Sequence, residues 1–130
     1  HLPPFGAALF TISDDSKEEA LALAKRFKNI GYSLLATKGT GKYFTKHGLT
    51  VETVGKIGDE TPLTVLDAIG KQKVQVVVNT MDKNRAKDHL DGFYIRREAV
   101  EHGVPLFTSL DTAKAIVQVL ESQSFTTEAL

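Results

Sequence analysis

The sequence has no cysteine among its 130 residues. That excludes a disulfide framework and a thiolate metal centre, and it fits a reducing, cytoplasmic setting. It has no excess of one charge: 16 Lys and Arg balance 16 Asp and Glu. No global field therefore draws the chain to nucleic acid or to an anionic bilayer. No apolar run approaches the roughly 20 residues that cross a membrane, and no secretory leader pattern is visible. Neither nucleic acid nor membrane is an expected partner. Methionine is scarce too: Met81 is the only one, and the chain opens on His1. It reads as a processed chain or as a piece of a longer one, with residues 1–6 a linker remnant.

What is present is an alternation. Short β-branched runs follow one another with amphipathic segments between them. Strands are expected at 7–13, 32–37, 49–54, 74–79 and 105–109. The first helix, 16–30, places Ala20, Leu21, Ala24, Phe27 and Ile30 on one face. A short second helix ends near His47. Pro62 is placed to open a third helix, running to about Ile69. Residues 80–91 are polar and read as a loop, and a fourth helix covers about 92–101. A fifth spans 110–120, with fraying expected from Glu121 and a polar tail over 122–130. Five strands alternating with five helices imply one α/β domain, 7–121, with a parallel sheet and helices on both faces.

In such sheets ligands sit beyond the carboxyl ends of the strands. The residues just there form a consistent set. Ser13, Asp14, Asp15, Ser16 and Lys17 follow the first strand. Ala36-Thr37-Lys38-Gly39-Thr40 closes the second and opens a helix. Lys56 follows the third, Asn79 and Thr80 the fourth, Thr108 and Ser109 the fifth. Hydroxyls, amides and ammonium groups around a helix start suit an oxyanion, with Gly39 admitting close backbone approach. The 36–40 loop also fits a plain strand-to-helix turn with a threonine cap, and it lacks the GxxxxGK[ST] spacing of a P-loop. Lys17 and Lys56 also fit solvated lysines, and Asn79 also fits a turn residue. The functional reading rests on the agreement of four strand ends.

His47 and His102 each precede a glycine at a helix end and suit the helix dipole there. His89 falls in the polar 80–91 stretch, among Asp82, Asp88 and Asp91, where a solvated loop is the expectation. Arg96 and Arg97 are compatible with ligand, acid or solvent. No serine sits on a nucleophile elbow.

These residues resemble the methylglyoxal-synthase-like domain family. Within it, the chain is similar to the C-terminal allosteric domain of carbamoyl-phosphate synthase large chains. The resemblance runs from about Gly6 to Ser122. It is carried by FTISDDSKEEALALAKRFKNIGYSLLATKGT at 10–40, VGKI at 54–57, VVNT at 77–80 and YIRREAVEHGVPLFTSLDTA at 94–113. It implies a three-layer αβα, Rossmann-like fold with a five-stranded parallel sheet. It also implies a regulatory domain that binds a phosphorylated effector such as UMP, IMP or phosphoribosyl pyrophosphate, with ornithine acting in some members. The implied phosphate positions are Thr11, Lys17, Thr37, Gly39 and Thr40. The implied base and sugar contacts are Lys56, Asn79 and Thr80. Lys38, Arg85 and Asp91 are secondary candidates. No catalytic residue, metal or cofactor is expected in the domain itself. ATP and Mg or Mn belong to the implied parent ligase, which makes carbamoyl phosphate for pyrimidine and arginine synthesis together with a glutaminase small chain.

Some positions depart from the pattern. Met81 stands where some members carry a hydroxyl after Asn-Thr. Lys38 adds a charge before Gly39. Leu106 stands near an aromatic position used for ornithine. The enzyme relative of the family eliminates phosphate from dihydroxyacetone phosphate with a carboxylate base and a histidine acid. Its acidic loop falls here on Gly58-Asp59-Glu60-Thr61-Pro62, while Asp91 and His89 are the counterparts of its second acid and its histidine. A lyase is thus the alternative to the regulatory reading.

Overall fold

The computed structural model describes residues 6–82 and 85–129, the side chains of Asp88 and 124–129 excepted. The expected linker therefore lies outside the described residues, except Gly6. Five strands alternate with five helices: β1 Ala7–Thr11, α1 Lys17–Asn29, β2 Ser33–Thr37, α2 Lys38–Lys46, β3 Glu52–Val54, α3 Val65–Gly70, β4 Val76–Asn79, α4 Ala86–Glu101, β5 Leu106–Phe107 and α5 Leu110–Ala129. A single 3-10 turn, Asp14–Ser16, precedes α1. The strands form one sheet in the order β3-β2-β1-β4-β5, parallel throughout. The expected three-layer α/β architecture is the one observed.

Strand alternation divides the core in two. Ala8, Phe10, Leu34, Ala36, Val76 and Val78 face α1, α2 and α5, meeting Phe27, Phe44 and Val117. Leu9, Leu35, Val54 and Val77 face α3 and α4, meeting Ile69, Ile95 and Ala99. The first layer holds an edge-to-face aromatic cluster, with Phe10 5.9 Å from Phe27 and 5.6 Å from Phe44. Such contacts add roughly 0.5–1.5 kcal/mol each beyond area burial. The second layer is aliphatic.

Four strands are shorter than expected by more than one residue, 7–11, 52–54, 76–79 and 106–107 against 7–13, 49–54, 74–79 and 105–109, and three helix boundaries differ by more than one residue. Helix α3 opens at Thr64, not at Pro62, because Thr64 and Asp67 form a reciprocal capping box. That pair satisfies two otherwise orphaned groups, which Pro62 in the preceding turn cannot do. Helix α4 begins at Ala86, so six residues read as loop are helical. The buried residues at 92, 95 and 99 set that helix against the sheet, and the described side chains of its first turn, Ala86, Lys87 and His89, are all exposed. Helix α5 continues through Ala129. Arg26 of α1 grips Glu121 with two hydrogen bonds, at 2.6 and 3.0 Å, just where fraying was expected.

Candidate functional site

The strand order reverses between β1, which leads outward through β2 to β3, and β4, which leads to β5. At this point the helices after β1 and β4 leave toward opposite faces, and a crevice opens beyond the strand ends. A cleft of ≈ 220 Å³ lies there. Its floor is tied together across the sheet. Thr11 at the end of β1 donates to Asn79 Oδ1 at the end of β4. Ile12 N donates to Thr40 Oγ1 at 3.0 Å, and Ser13 N donates to Thr80 Oγ1 at 2.9 Å. Three separate elements thus fix one another through the hydroxyls that line the cavity.

Helix α2 starts at its edge. Thr37 is the N-cap residue, with extended backbone, yet its hydroxyl makes no capping bond. It lies instead 3.5 Å from Thr40 Oγ1, both residues being buried. The simple threonine cap is therefore not what this loop forms. A Cβ at Gly39 would stand 3.6 Å from Lys17 Nζ, so the glycine opens the loop toward that ammonium. The Lys17 side chain is only 15% exposed. Asn79 is 4% exposed, and its Nδ2 is buried without a hydrogen-bond partner. An unpaired buried donor costs about 1–3 kcal/mol. It is the kind of expense that a bound acceptor oxygen removes.

Four cations, Lys17, Lys56, Arg85 and Lys87, line the cleft against three acids, Asp14, Asp82 and Asp91. Asp14 shows the field they create. The Lys17 ammonium bonded to it holds its carboxyl below the ordinary aspartate value, and Arg85 and Lys56 add to the pull. Lys56 sits on the 55–64 loop, whose fold is set by Asp59 accepting from Lys56 N at 2.9 Å and by a bridge between Gly55 and Thr64.

The MGS-like domain model matches residues 19–108, most of the chain. The chain belongs to the MGS-like domain family. Two solved structures show the same fold. One is a methylglyoxal synthase from Elizabethkingia anophelis NUHP1, with TM-score 0.67 and 19% identity, covering 89% of this chain and 79% of that one. The other is ForH, with TM-score 0.65 and 19% identity, covering 92% of this chain and 80% of that one. Thr11 and Lys17 precede the matched segment of this MGS-like domain, so their place in the cleft comes from the fold.

Thr11, Lys17, Thr37, Gly39, Thr40, Lys56, Asn79 and Thr80 all line the cleft, as do Arg85 and Asp91. Lys38 does not: it is exposed on the first turn of α2. Of the lyase counterparts, Asp91 lines the cleft, whereas Asp59 and His89 do not. His89 lies exposed on α4, not in a loop. His47 and His102 occupy helix ends, each ring nitrogen meeting the carbonyl four residues back, at 2.9 and 3.0 Å.

Sequence reasoning missed Ile57, Val65 and Ile95, apolar walls of the cleft, and Gly92 beside it. A Cβ at Gly92 would collide with Met81 Sδ and stand 3.5 Å from Asn79 Nδ2. The sequence carried no signal for it, because the expected helix began at Gly92 and a glycine at a helix start is ordinary. Among the described residues, Glu98, Glu101 and His102 place ligand atoms within 4.8 Å of one another. None lines the cleft, and Glu101 is paired with Arg97 at 3.3 Å. No described helix is long and apolar enough to cross a membrane.

Proposed function

We propose that this MGS-like domain is a regulatory module that binds a phosphomonoester in the cleft at the β1/β4 crevice. Its proposed setting is the large chain of a cytoplasmic carbamoyl-phosphate synthase, with UMP, IMP or phosphoribosyl pyrophosphate as effector. ATP, Mg or Mn and the glutaminase small chain belong to the rest of that assembly. The observation that carries the binding reading is Asn79 Nδ2, buried and unpaired in a cleft lined by Lys17, Thr37, Gly39 and Thr40. A phosphate oxygen supplies an acceptor for the amide. The Lys17 ammonium and the first amides of α2 supply charge and dipole of the right sign. The cavity lies below the roughly 300–1,000 Å³ of drug-sized pockets. It suits a phosphate and its adjoining sugar, leaving a base at the rim.

Binding alone does not regulate. The effector must prefer one state of the parent enzyme over another, and the coupling equals that difference in affinity. The first test is thermal stability of the chain with UMP, IMP and phosphoribosyl pyrophosphate. Ligand at 100 times its Kd adds about 2.7 kcal/mol. No rise in Tm with any of the three overturns the proposal.

Asp91 in the cleft favours one alternative, a lyase acting on dihydroxyacetone phosphate. Asp59 argues against it, being engaged with Lys56 N outside the cleft lining. Methylglyoxal release that is abolished by Asp91→Asn would replace the regulatory reading with the lyase.

A further inference from the structure

Lys17 is the least exposed of the cations in ion pairs here, yet its partner Asp14 is 83% exposed. The asymmetry matters. Asp14 gains little from burial, and its side chain reaches out to Lys17 from the 3-10 turn that it begins. Lys17 projects toward Gly39 at the mouth of the anion cleft, and there the ammonium is met by a carboxylate of the protein itself. Asp14 also lines the cleft, and the nearby Arg85 and Lys56 act on its charge. Its carboxylate occupies the same field that a ligand anion would enter.

We infer that Asp14 is an internal competitor for the cleft: its carboxylate holds Lys17 in the empty site and must release it when an external oxyanion binds. Asp14 therefore sets the affinity of the site, lowering it without touching the ligand. This rests on the anion-binding reading of the cleft and adds to it a residue that weakens the very site it borders. The device has a physical use. A pocket of four cations and two acids would hold any phosphate tightly. With Asp14 as a third acid, only ligands that make further contacts to Asn79 and the hydroxyls displace it. An exposed ion pair is a weak opponent, so the expected gain on its removal is about two- to five-fold in Kd.

The experiment is calorimetric titration of the chain with inorganic phosphate and with UMP, comparing wild type, Asp14→Asn and Glu18→Gln. Glu18 is exposed, carries the same charge and does not line the cleft, so it controls for net charge. Asp14→Asn is expected to tighten binding of both probes by about two- to five-fold, with Glu18→Gln changing it less than half as much. In a Lys17→Ala background the Asp14→Asn gain should shrink to the size of the Glu18→Gln control. Wild type that binds while Asp14→Asn binds equally or more weakly overturns this inference and leaves the anion reading standing. A gain matched by Glu18→Gln, or one undiminished without Lys17, also overturns it. If neither wild type nor Asp14→Asn binds either probe, both this inference and the anion reading fall. Binding by Asp14→Asn alone supports it.

Discussion

Two clefts flank the end of β4 and share Thr80, Met81 and Asp82 as a common wall. On one side stand Lys17, Lys56, Arg85 and Lys87. On the other stand Asp15, Glu19, Asp82 and Asp111, with no lysine or arginine among the described lining residues. The acidic cleft is the larger, ≈ 570 Å³ against ≈ 220 Å³. Volume therefore does not pick the anion site; the sign of the lining does. The pair also gives a chain with zero formal charge one locally basic cleft, which suits the proposed phosphate. Charge is sorted across one strand end, over distances of about a Debye length or less, where screening leaves it effective.

The most damaging change to this contrast is Lys17→Ala. It removes a charge-assisted bond worth about 1.5–3 kcal/mol, so phosphate or UMP affinity should fall about 10- to 100-fold in calorimetry. Retained affinity would mean that the basic cleft is not the anion site.

Next comes Asn79→Leu, of similar size and without the unpaired donor. Ligand affinity should fall about three- to ten-fold, while the stability of the unliganded chain stays within about 1 kcal/mol of wild type, the bond lost from the Thr11 hydroxyl being offset by removal of the unpaired buried amide. Denaturant titration beside calorimetry separates the two. A large loss of stability would instead make Asn79 a structural residue.

A smaller effect concerns the helix that serves both clefts. Arg26 holds Glu121 below its ordinary carboxylate value of 4.5 through a two-pronged hydrogen bond. A depressed value means stability is present above the unfolded pKa and lost as pH falls through the folded one. Glu121→Gln should lower stability at pH 7 by under about 1 kcal/mol, as both side chains are about a third exposed. It should also flatten the fall of Tm below about pH 4.5, and leave phosphate affinity unchanged. Loss of affinity here would tie the α1–α5 clamp to the site.

The smallest effect is the one across the wall. Asp111→Asn removes an acid from the other cleft and should alter phosphate affinity by less than about two-fold. A larger gain would make the two clefts one electrostatic unit.

Much of this was legible in the sequence. The alternation of apolar runs with Phe27-type stripes placed ten elements. The strand-end rule pointed to Ser13, Asp14, Lys17, Thr37, Gly39, Thr40, Lys56, Asn79 and Thr80, which line one cavity, but also to Asp15, Ser16, Thr108 and Ser109, which line the neighbouring acidic cleft, while Thr11 came from the family resemblance. What was not legible has physical causes. The start of α4 was hidden because Ala86, Lys87, His89 and Leu90 are all exposed, so no buried face gave the segment a helical period. The opening of α3 turned on a bond between Thr64 and Asp67 that outweighs the prior for proline at a first turn. Lys38 looked equivalent to its neighbours in the loop. One residue into a helix, however, the side chain swings by about 100° per position, and Lys38 falls on the outer face while Thr40 falls on the inner. Gly92 meets the site only through packing of a helix across the sheet, which no local pattern encodes.

The tie from Thr11 to Asn79 spans 68 residues of chain. Neighbouring units such as β1-α1-β2 can form early, because their contacts are close in sequence. The pairing of β1 with β4 must wait for a far longer loop to close, which makes it a slow and late event. The phosphate cleft is made of that pairing. Loop-closure entropy therefore makes its completion an expected late step of folding. A nascent or damaged chain can own every strand and helix and still lack the proposed effector site, and a ligand bound there would brace the seam between β1 and β4.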